Sequence, residues 1–290
     1  MHPLRSFLFA PGNHPRKVEK VFQAGADVVI LDLEDAVAIA EKPKTRTTVV
    51  EALKKQHRGL GYVRVNSLDT EFAWADFSEI VGPWIDGIVL PKVETADQLQ
   101  TADWILVQLE RECGLEIGSI DLLPIIETGL GVHIIEEITV AKTRVKRVSF
   151  GAGDYTRDMN LVWTGPEQEL AYTRGRIVLA SRAAEIEPPI DSVFIDLKDN
   201  EHLKLSTQKA LEFGFQGKLC IHPDQVSLVN DIFTPNAAEV TRAEKIISAF
   251  EKAEASGSAS IQVDGYFVYY PIVEKARRIL KISENIRAAI

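Results

Sequence analysis

The feature that most constrains the fold is an alternation of short, apolar β-type runs with longer segments of helical spacing. The predicted strands are Ser6–Ala10, Val28–Leu33, Tyr62–Val65, Gly87–Leu90, Leu122–Ile126, Arg147–Phe150, Ser192–Ile195 and Lys218–Ile221. The predicted helices between them are Pro15–Ala24, Lys42–Gln56, Ala96–Glu112, Gly131–Thr143, Gln168–Glu185 and Glu201–Phe213, with a less regular connection at Thr70–Trp84. Eight strands separated by helices predict an α/β fold, a (β/α)₈ TIM barrel.

The principal alternative is a doubly wound sheet that binds a dinucleotide. No G-x-G-x-x-G motif follows the first predicted strand, so this alternative lacks its main support. We expect one barrel domain over residues 1–235 and a C-terminal extension over residues 236–290. Within the extension, Ala237–Ala255 and Pro271–Ile290 have helical spacing and Ile261–Tyr270 is β-like. We expect it to pack on the barrel or on a neighbouring subunit.

Composition excludes several classes of function. The formal net charge of -9 argues against a nucleic-acid binder and against docking on anionic membranes. No apolar run approaches the roughly 20 residues of a membrane span. The two cysteines, Cys113 and Cys220, are far apart and suit a reducing compartment. We therefore expect a cytoplasmic protein with no nucleic-acid or membrane partner.

Ionisable residues follow almost every predicted strand. In a barrel the carboxyl ends of the strands converge on one rim, where the chemistry of the fold takes place. The candidate rim residues are Asp32, Glu34, Asp35, Arg64, Asn66, Lys92, Glu94, Glu127, Asp154, Asp196, Asp199 and His222. Such a series predicts an active site there.

Glu127 and Asp154 follow consecutive strands and are therefore expected to be neighbours on the rim. Carboxylates suit a hard divalent ion such as Mg²⁺, which takes one or two protein carboxylates and completes its shell with water and substrate. The alternative is that each acid only caps the helix that follows it. His222 is a weaker candidate ligand.

The basic residues near the strands indicate an anionic substrate. Arg5, Arg64 and Lys92 lie at or near predicted strand ends. The planar guanidinium of Arg64 suits a carboxylate or a developing enolate. The alternative for Arg64 is an ion pair with Glu34 or Asp35.

Longer motifs carry a family resemblance that spans nearly the whole chain. They are residues 5–12 (RSFLFAPG), 25–27 (GAD), 31–37 (LDLEDAV), Lys42 with Arg46, 63–66 (VRVN), 90–94 (LPKVE), 126–128 (IET), 150–154 (FGAGD) and 217–225 (GKLCIHPDQ). Together they resemble the citrate lyase β-subunit-like (CitE-like) family of the HpcH/HpaI aldolase superfamily.

The resemblance implies a TIM barrel that assembles as a trimer or a multiple of trimers. It also implies that Glu127 and Asp154 hold Mg²⁺, with Arg64 beside the metal. The family's substrates are 3-hydroxy-carboxyacyl thioesters, which are split into an acetyl thioester and a 2-oxo acid.

Two groups of site residues are predicted on this basis. The catalytic candidates are Arg64, Glu34, Asp35, Lys92 and Tyr269. The substrate-binding candidates are Arg5, Arg64, Asn66 and Glu127.

The tail departs from the family pattern. Relatives that act on coenzyme A thioesters carry a segment resembling D-G-K-M-I-D-x-P, whose second Asp enters a neighbour's active site. Here Asp264–Pro271 reads DGYFVYYP, with Tyr266 in place of the Lys and Tyr269 in place of that Asp. A phenol can donate a proton but is a poor base at neutral pH.

Three functions therefore remain open. The first is a lyase for citramalyl-CoA, malyl-CoA or citryl-CoA. The second is the citryl-carrier-protein lyase subunit of a citrate lyase complex, with an acyl carrier protein as partner. The third is a thioester-binding homologue whose catalysis is altered or lost. The sequence does not decide the acyl group, the thioester carrier or the oligomeric state.

Overall fold

The computed structural model describes residues 3–55 and 57–289, and eight parallel strands in it close into a barrel. The strands are β1 (Ser6–Pro11), β2 (Val28–Asp32), β3 (Leu60–Arg64), β4 (Gly87–Leu90), β5 (Asp121–Ile126), β6 (Ser149–Phe150), β7 (Ile190–Asp191) and β8 (Gly217–Cys220). Each pairs with the next, and β8 pairs with β1. The predicted (β/α)₈ barrel is confirmed.

Helices alternate with the strands along the chain and continue past β8. They are α1 (Pro15–Val21), α2 (Lys42–Leu53), α3 (Ala73–Ile80), α4 (Ala96–Glu112), α5 (Gly129–His133), α6 (Ile135–Thr139), α7 (Ala152–Asp158), α8 (Ala171–Ala183), α9 (Asn200–Phe213), α10 (Asp224–Phe233), α11 (Ala237–Ala255) and α12 (Tyr270–Ala289). No helix among the described residues is long and apolar enough to span a membrane.

The barrel interior is filled by apolar side chains that alternate along the strands. Phe7 of β1, Val28 and Ile30 of β2, Tyr62 of β3 and Leu219 of β8 belong to this core. The intervening residues point outward, against the helices, as expected for period-two strands in a packed barrel. The interior is therefore closed, and polar side chains that end the strands project at its carboxyl rim.

Three local predictions were wrong. The seventh strand is Ile190–Asp191, not Ser192–Ile195. Two prolines immediately before Ile190 obscured a strand of only two residues. The predicted helix Gly131–Thr143 is two short helices, α5 and α6, that meet at Ile134, which has non-helical dihedral angles. The predicted helix Gln168–Glu185 begins as a 3₁₀ turn before α8.

The described chain forms two compact units. One is the barrel, residues 4–230, and the other comprises Pro3 together with the residues from Asp231 onward. The second unit contains α11, α12 and a hairpin of β9 (Ser260–Val263) and β10 (Tyr266–Tyr269). Phe250 and Val268 are buried in its own small core.

Candidate active site at the barrel rim

Arg64 is held rigidly at the carboxyl end of β3. Its Nε and Nη2 atoms each donate to Asp32, at the end of neighbouring β2, over 2.7 Å. Its guanidinium also lies 4.9 Å from the centroid of the Phe9 ring, a cation–π contact. Burial acts to raise the pKa of Asp32, but Arg64 holds that pKa below its ordinary value. The pair fixes the direction of Arg64 before any substrate binds.

Nη1 of Arg64 faces the turn that follows β2. It lies 3.1 Å from Oε2 of Glu34 and 3.8 Å from a carboxylate oxygen of Asp35. Lys92 donates to Oε1 of Glu34, and its ammonium lies 3.5 Å from Asp35. Oε2 of Glu34 is buried and accepts no hydrogen bond, and burial raises the pKa of this carboxyl group. Arg64, Glu34, Asp35 and Lys92 are thus one cluster.

Glu127 stands at the end of β5, almost fully buried. Its Oε1 atom accepts the backbone N–H of Lys92 over 2.8 Å. Lys92 itself has a left-handed backbone conformation, with φ 52°. Such a conformation is costly for a residue with a Cβ and is concentrated at functional sites. Burial raises the pKa of Glu127 to about 8, against the opposing effect of Arg64.

Asp154 completes the rim beside Glu127. It lies in the first turn of α7, directly after β6, and its charge contributes to the raised pKa of Glu127. One of its oxygens lies 2.7 Å from the exposed guanidinium of Arg157. Gly151 makes room for Glu127, because a Cβ at this position would lie 2.6 Å from the Glu127 Cβ and meet its carboxylate.

The donor set tests which metal the rim suits. Among residues 3–55 and 57–289, no group of three or more His, Cys, Asp or Glu side chains is arranged to hold an ion. Zinc sites of three or four such ligands are therefore a poor match. Two neighbouring carboxylates are the protein share that Mg²⁺ commonly takes. Glu127 is buried without a full counter-charge, so an ion there would stabilise its carboxylate. The residues fit Mg²⁺.

Three predicted site residues lie apart from this cluster. Arg5 precedes β1 and donates to Asp27 from its Nε and Nη2 atoms, which places it at the amino end of the barrel. The side chain of Asn66 is buried and bonded within the protein. Tyr269 belongs to the C-terminal unit, where its ring stacks on Phe267 on an exposed face of the hairpin.

A cavity of about 560 Å³ adjoins the carboxyl ends of β1 and β8. Arg16, Lys17 and Lys20 contribute three cations to its wall from α1. Apolar carbons of Phe9 and Pro223 form other parts of it. The pocket therefore pairs apolar surface with local positive charge in a chain that is acidic as a whole.

The fold and the rim define a class of protein: a (β/α)₈ barrel with two neighbouring carboxylates at its carboxyl rim. The HpcH/HpaI aldolase/citrate lyase family model matches residues 5–223. The chain belongs to this family, and it is CitE-like within it, as the sequence motifs indicated. Its relatives include citrate lyase beta subunits and L-malyl-CoA/beta-methylmalyl-CoA lyases.

Individual relatives match over nearly the full chain. The citrate lyase subunit beta of Leuconostoc mesenteroides subsp. cremoris is 38% identical over 281 residues, which cover 96% of this chain and 93% of that protein. The L-malyl-CoA/beta-methylmalyl-CoA lyase of Rhodobacter capsulatus is 35% identical over 302 residues, covering 97% and 94%. The crystal structure of CitE from Mycobacterium tuberculosis with magnesium, acetoacetate and coenzyme A has a TM-score of 0.76 at 26% identity, covering 97% and 98%.

Proposed function

We propose that this chain is a Mg²⁺-dependent carbon–carbon lyase. It cleaves a 3-hydroxy-carboxyacyl-CoA of the citramalyl, malyl or citryl type into acetyl-CoA and a 2-oxo acid. The observation that carries this proposal is the rim itself: the buried Glu127 carboxylate and Asp154 stand beside a fixed Arg64. The lyase activities of the relatives support the same reaction class.

A Mg²⁺ ion between Glu127 and Asp154 would act as a Lewis acid toward the hydroxyl and carboxylate of the substrate. Arg64 supplies the opposing charge. Its Nε and Nη2 atoms donate to Asp32, whereas Nη1 lies 3.1 Å from Oε2 of Glu34 without a hydrogen bond to it, so Nη1 is the atom that can donate to the negative oxygen of a thioester enolate. Because Asp32 and Phe9 hold the guanidinium in place, little reorganisation is needed as that charge develops.

The enolate must then be protonated to give the acetyl thioester. We assign this step to one of three groups. Glu34 and Asp35 lie against Lys92, whose ammonium can return a proton to them. Tyr269 is the third, and it would act from a neighbouring subunit. Asp35→Asn and Tyr269→Phe separate these assignments, because only loss of the true donor should lower kcat by about 10²-fold or more.

The basic cavity fits coenzyme A as the thioester carrier. Coenzyme A carries a nucleotide with several phosphates, and Arg16, Lys17 and Lys20 place three cations in the wall of the cavity. Lys20→Ala should raise KM for a CoA thioester about tenfold and leave kcat unchanged. No change in KM would remove this support.

Purified protein with Mg²⁺ should release a 2-oxo acid and acetyl-CoA from at least one of citramalyl-CoA, malyl-CoA and citryl-CoA. Glu127→Gln is the matched control and should be inactive. Absence of turnover of all three thioesters, with metal bound, would contradict the proposal.

The similarity to citrate lyase subunit beta supports a second candidate, a lyase subunit acting on a carrier-bound citryl group. This candidate predicts turnover of citryl-carrier protein in preference to citryl-CoA, and a gene beside those of a carrier protein and a transferase subunit. If wild-type protein is inactive and Tyr269→Asp gains activity, the chain is instead a thioester-binding homologue that has lost catalysis.

We also propose a homotrimer, or a multiple of trimers, in the cytoplasm. Leu130 of α5 and Tyr172 of α8 are exposed apolar side chains on adjacent helices, which Arg176 joins by donating to the carbonyl of Val132. Light scattering after size exclusion measures the assembly directly.

The cytoplasmic location is supported by the cysteines. Both described cysteines are free thiols, which a reducing compartment preserves.

A further inference from the structure

Four polar side chains next to the turn of Glu34 form a hydrogen-bonded network that has no role in the proposed chemistry. Lys42 and Arg46 come from α2, Asp76 comes from α3, and Asn66 follows β3. All four are buried, and Asp76 is completely so. Buried charges are expensive unless each is paired and hydrogen-bonded, so such a network calls for an explanation.

Lys42 holds the turn that carries the rim acids. Its ammonium donates to the carbonyl of Leu33 over 3.0 Å, to the carbonyl of Glu34 over 2.7 Å and to Oδ1 of Asn66 over 2.6 Å. These three acceptors use all three donors of the ammonium group. Two of them are backbone atoms of the turn, so Lys42 fixes the main chain from which Glu34 and Asp35 project.

The other members hold Asn66 and therefore Lys42. Asp76 accepts the backbone N–H and the side-chain amide of Asn66 over 2.8 and 2.6 Å. Its second oxygen accepts Nε of Arg46 over 2.7 Å. The amide of Asn66 also donates to the carbonyl of Leu33 over 3.1 Å. Both hydrogens of the Asn66 amide are therefore donated inside the protein, and none is left for a substrate.

Glu34 needs such support. Its carboxylate is buried, one oxygen accepts no hydrogen bond, and burial raises its pKa. Arg64 lies 3.1 Å from its unbonded oxygen, and Lys92 donates to the other oxygen. Both cations come from other parts of the rim, so the place of the carboxylate against them also depends on a rigid backbone in its own turn. Displacements of about 1 Å can cost roughly 10²-fold in rate.

We propose that Lys42, Asn66, Asp76 and Arg46 are positioning residues of this site. They lock residues 33–36 so that Glu34 meets Arg64 and Lys92 in one arrangement. This assignment rests on the proposed lyase function, and it makes Asn66 a support for the rim instead of a substrate contact.

The test combines local amide exchange with kinetics. The N–H groups of Leu33, Glu34, Ala36 and Val37 are hydrogen-bonded, so their exchange reports whether the turn is held. Lys42→Met should speed exchange over residues 33–37 by at least about tenfold, while the barrel strands keep their protection. It should also lower kcat by about 10- to 100-fold, with KM changed less than about threefold.

The matched control is Lys44→Met, which removes an exposed lysine from the same helix. It should leave both the exchange and kcat at wild-type values. Asn66→Asp keeps the shape of the side chain and places a carboxylate against Asp76. It should reproduce the loss of kcat without a large rise in KM, whereas a substrate contact would raise KM first.

Unchanged exchange over residues 33–37 in Lys42→Met would overturn the proposal. The proposal is also overturned if the fall in kcat of Lys42→Met is fully explained by a smaller fraction of folded protein. If Lys42→Met does not fold, Asp76→Asn is measured in the same way. If neither variant folds, the four residues are needed for folding itself, and the proposal is overturned. A wild-type protein that turns over no thioester defeats the proposed function, while the exchange result still decides whether Lys42 holds the turn.

Discussion

Among the clusters of buried charges in the barrel, two are built in opposite ways. The first lies behind β7 and β8, where Asp191 accepts hydrogen bonds from Arg174 and from Lys218. Glu167 accepts a second bond from Arg174, and Ser206 joins Glu167 to Lys218. Two cations balance two anions. Burial acts to raise the pKa of Asp191, but its partners hold that pKa below the ordinary value.

The second cluster, at the rim, is unbalanced. Glu127 and Glu34 both have a raised pKa caused by burial, and Glu34 has an oxygen without a hydrogen bond. Lys92, whose backbone N–H donates to Glu127, has a left-handed backbone conformation. Networks with all partners present rigidify a fold, whereas perturbed and underpaired groups are concentrated at sites that bind something. The first cluster supports the barrel, and the second is the one that we propose binds a cation.

The largest expected effect comes from breaking the balanced cluster. Lys218→Met leaves Asp191 buried with one partner fewer and should lower the free energy of unfolding by about 3–5 kcal/mol. Lys44→Met breaks an exposed pair and should cost about 0–1 kcal/mol. Urea unfolding of both variants makes the comparison. Equal losses would show that the balanced cluster contributes no more than a surface pair.

The opposite sign is expected at the rim. Glu127→Gln removes a carboxylate whose ionisation is opposed by burial, so at pH 8 the metal-free variant should be about 2 kcal/mol more stable than the wild type. At pH 5 the wild-type group holds its proton and the difference should shrink. Thermal melts at both pH values measure this. A variant less stable at pH 8 would mean that Glu127 is well paired without metal.

Gly151→Ala tests the space around Glu127. The added Cβ would press on the side chain of Glu127 and displace it, so Mg²⁺ affinity should fall about 10- to 100-fold. Gly153→Ala is the control, because its added Cβ would meet nothing closer than 3.9 Å. Calorimetric titration with Mg²⁺ gives both affinities. Equal Mg²⁺ affinities in the two variants would show that the space at Gly151 does not matter for metal binding.

The smallest expected effect is in the pH dependence of the wild-type protein. The folded-state pKa of Glu127 is raised to about 8 from an ordinary 4.5, so its contribution to stability is fully present below pH 4.5 and is lost as pH rises through 8. Metal-free protein should therefore lose about 1 kcal/mol between pH 7 and pH 8, and saturating Mg²⁺ should abolish that slope. If the free energy of unfolding of metal-free Glu127→Gln falls with pH as it does in the wild type, another titratable group causes the pH dependence.

The sequence predicted the parts of this molecule that repeat. The period of apolar runs indicated the barrel, and convergence of parallel strand ends brought Glu34, Asp35, Arg64, Lys92 and Glu127 to one rim. The seventh strand was predicted at the wrong residues because its two residues follow a pair of prolines. Short strands carry too little periodic signal to locate.

What the sequence could not show depends on contacts across elements. Phe9 lies beneath Arg64, Gly151 leaves room for Glu127 and Arg157 pairs with Asp154. The first two contacts join residues far apart in the sequence and cannot be inferred from spacing. Arg157 is one helical turn after Asp154, so this third contact could have been predicted from a helix there. Arg5 was assigned to substrate binding from its nearness to a strand, but it precedes β1 and pairs with Asp27. Distinguishing the two ends of that strand would have placed it correctly.

The measurement that tests the central claim most directly is calorimetric titration of the protein with Mg²⁺ at pH 7 in two buffers of different ionisation enthalpy. Because burial raises the pKa of Glu127 to about 8, most of the metal-free protein holds a proton there. Binding should release close to one proton per ion in the wild type and none in Glu127→Gln, which should also bind far more weakly. Tight binding without proton release, or equal binding by Glu127→Gln, would contradict the assignment of this rim as the metal site.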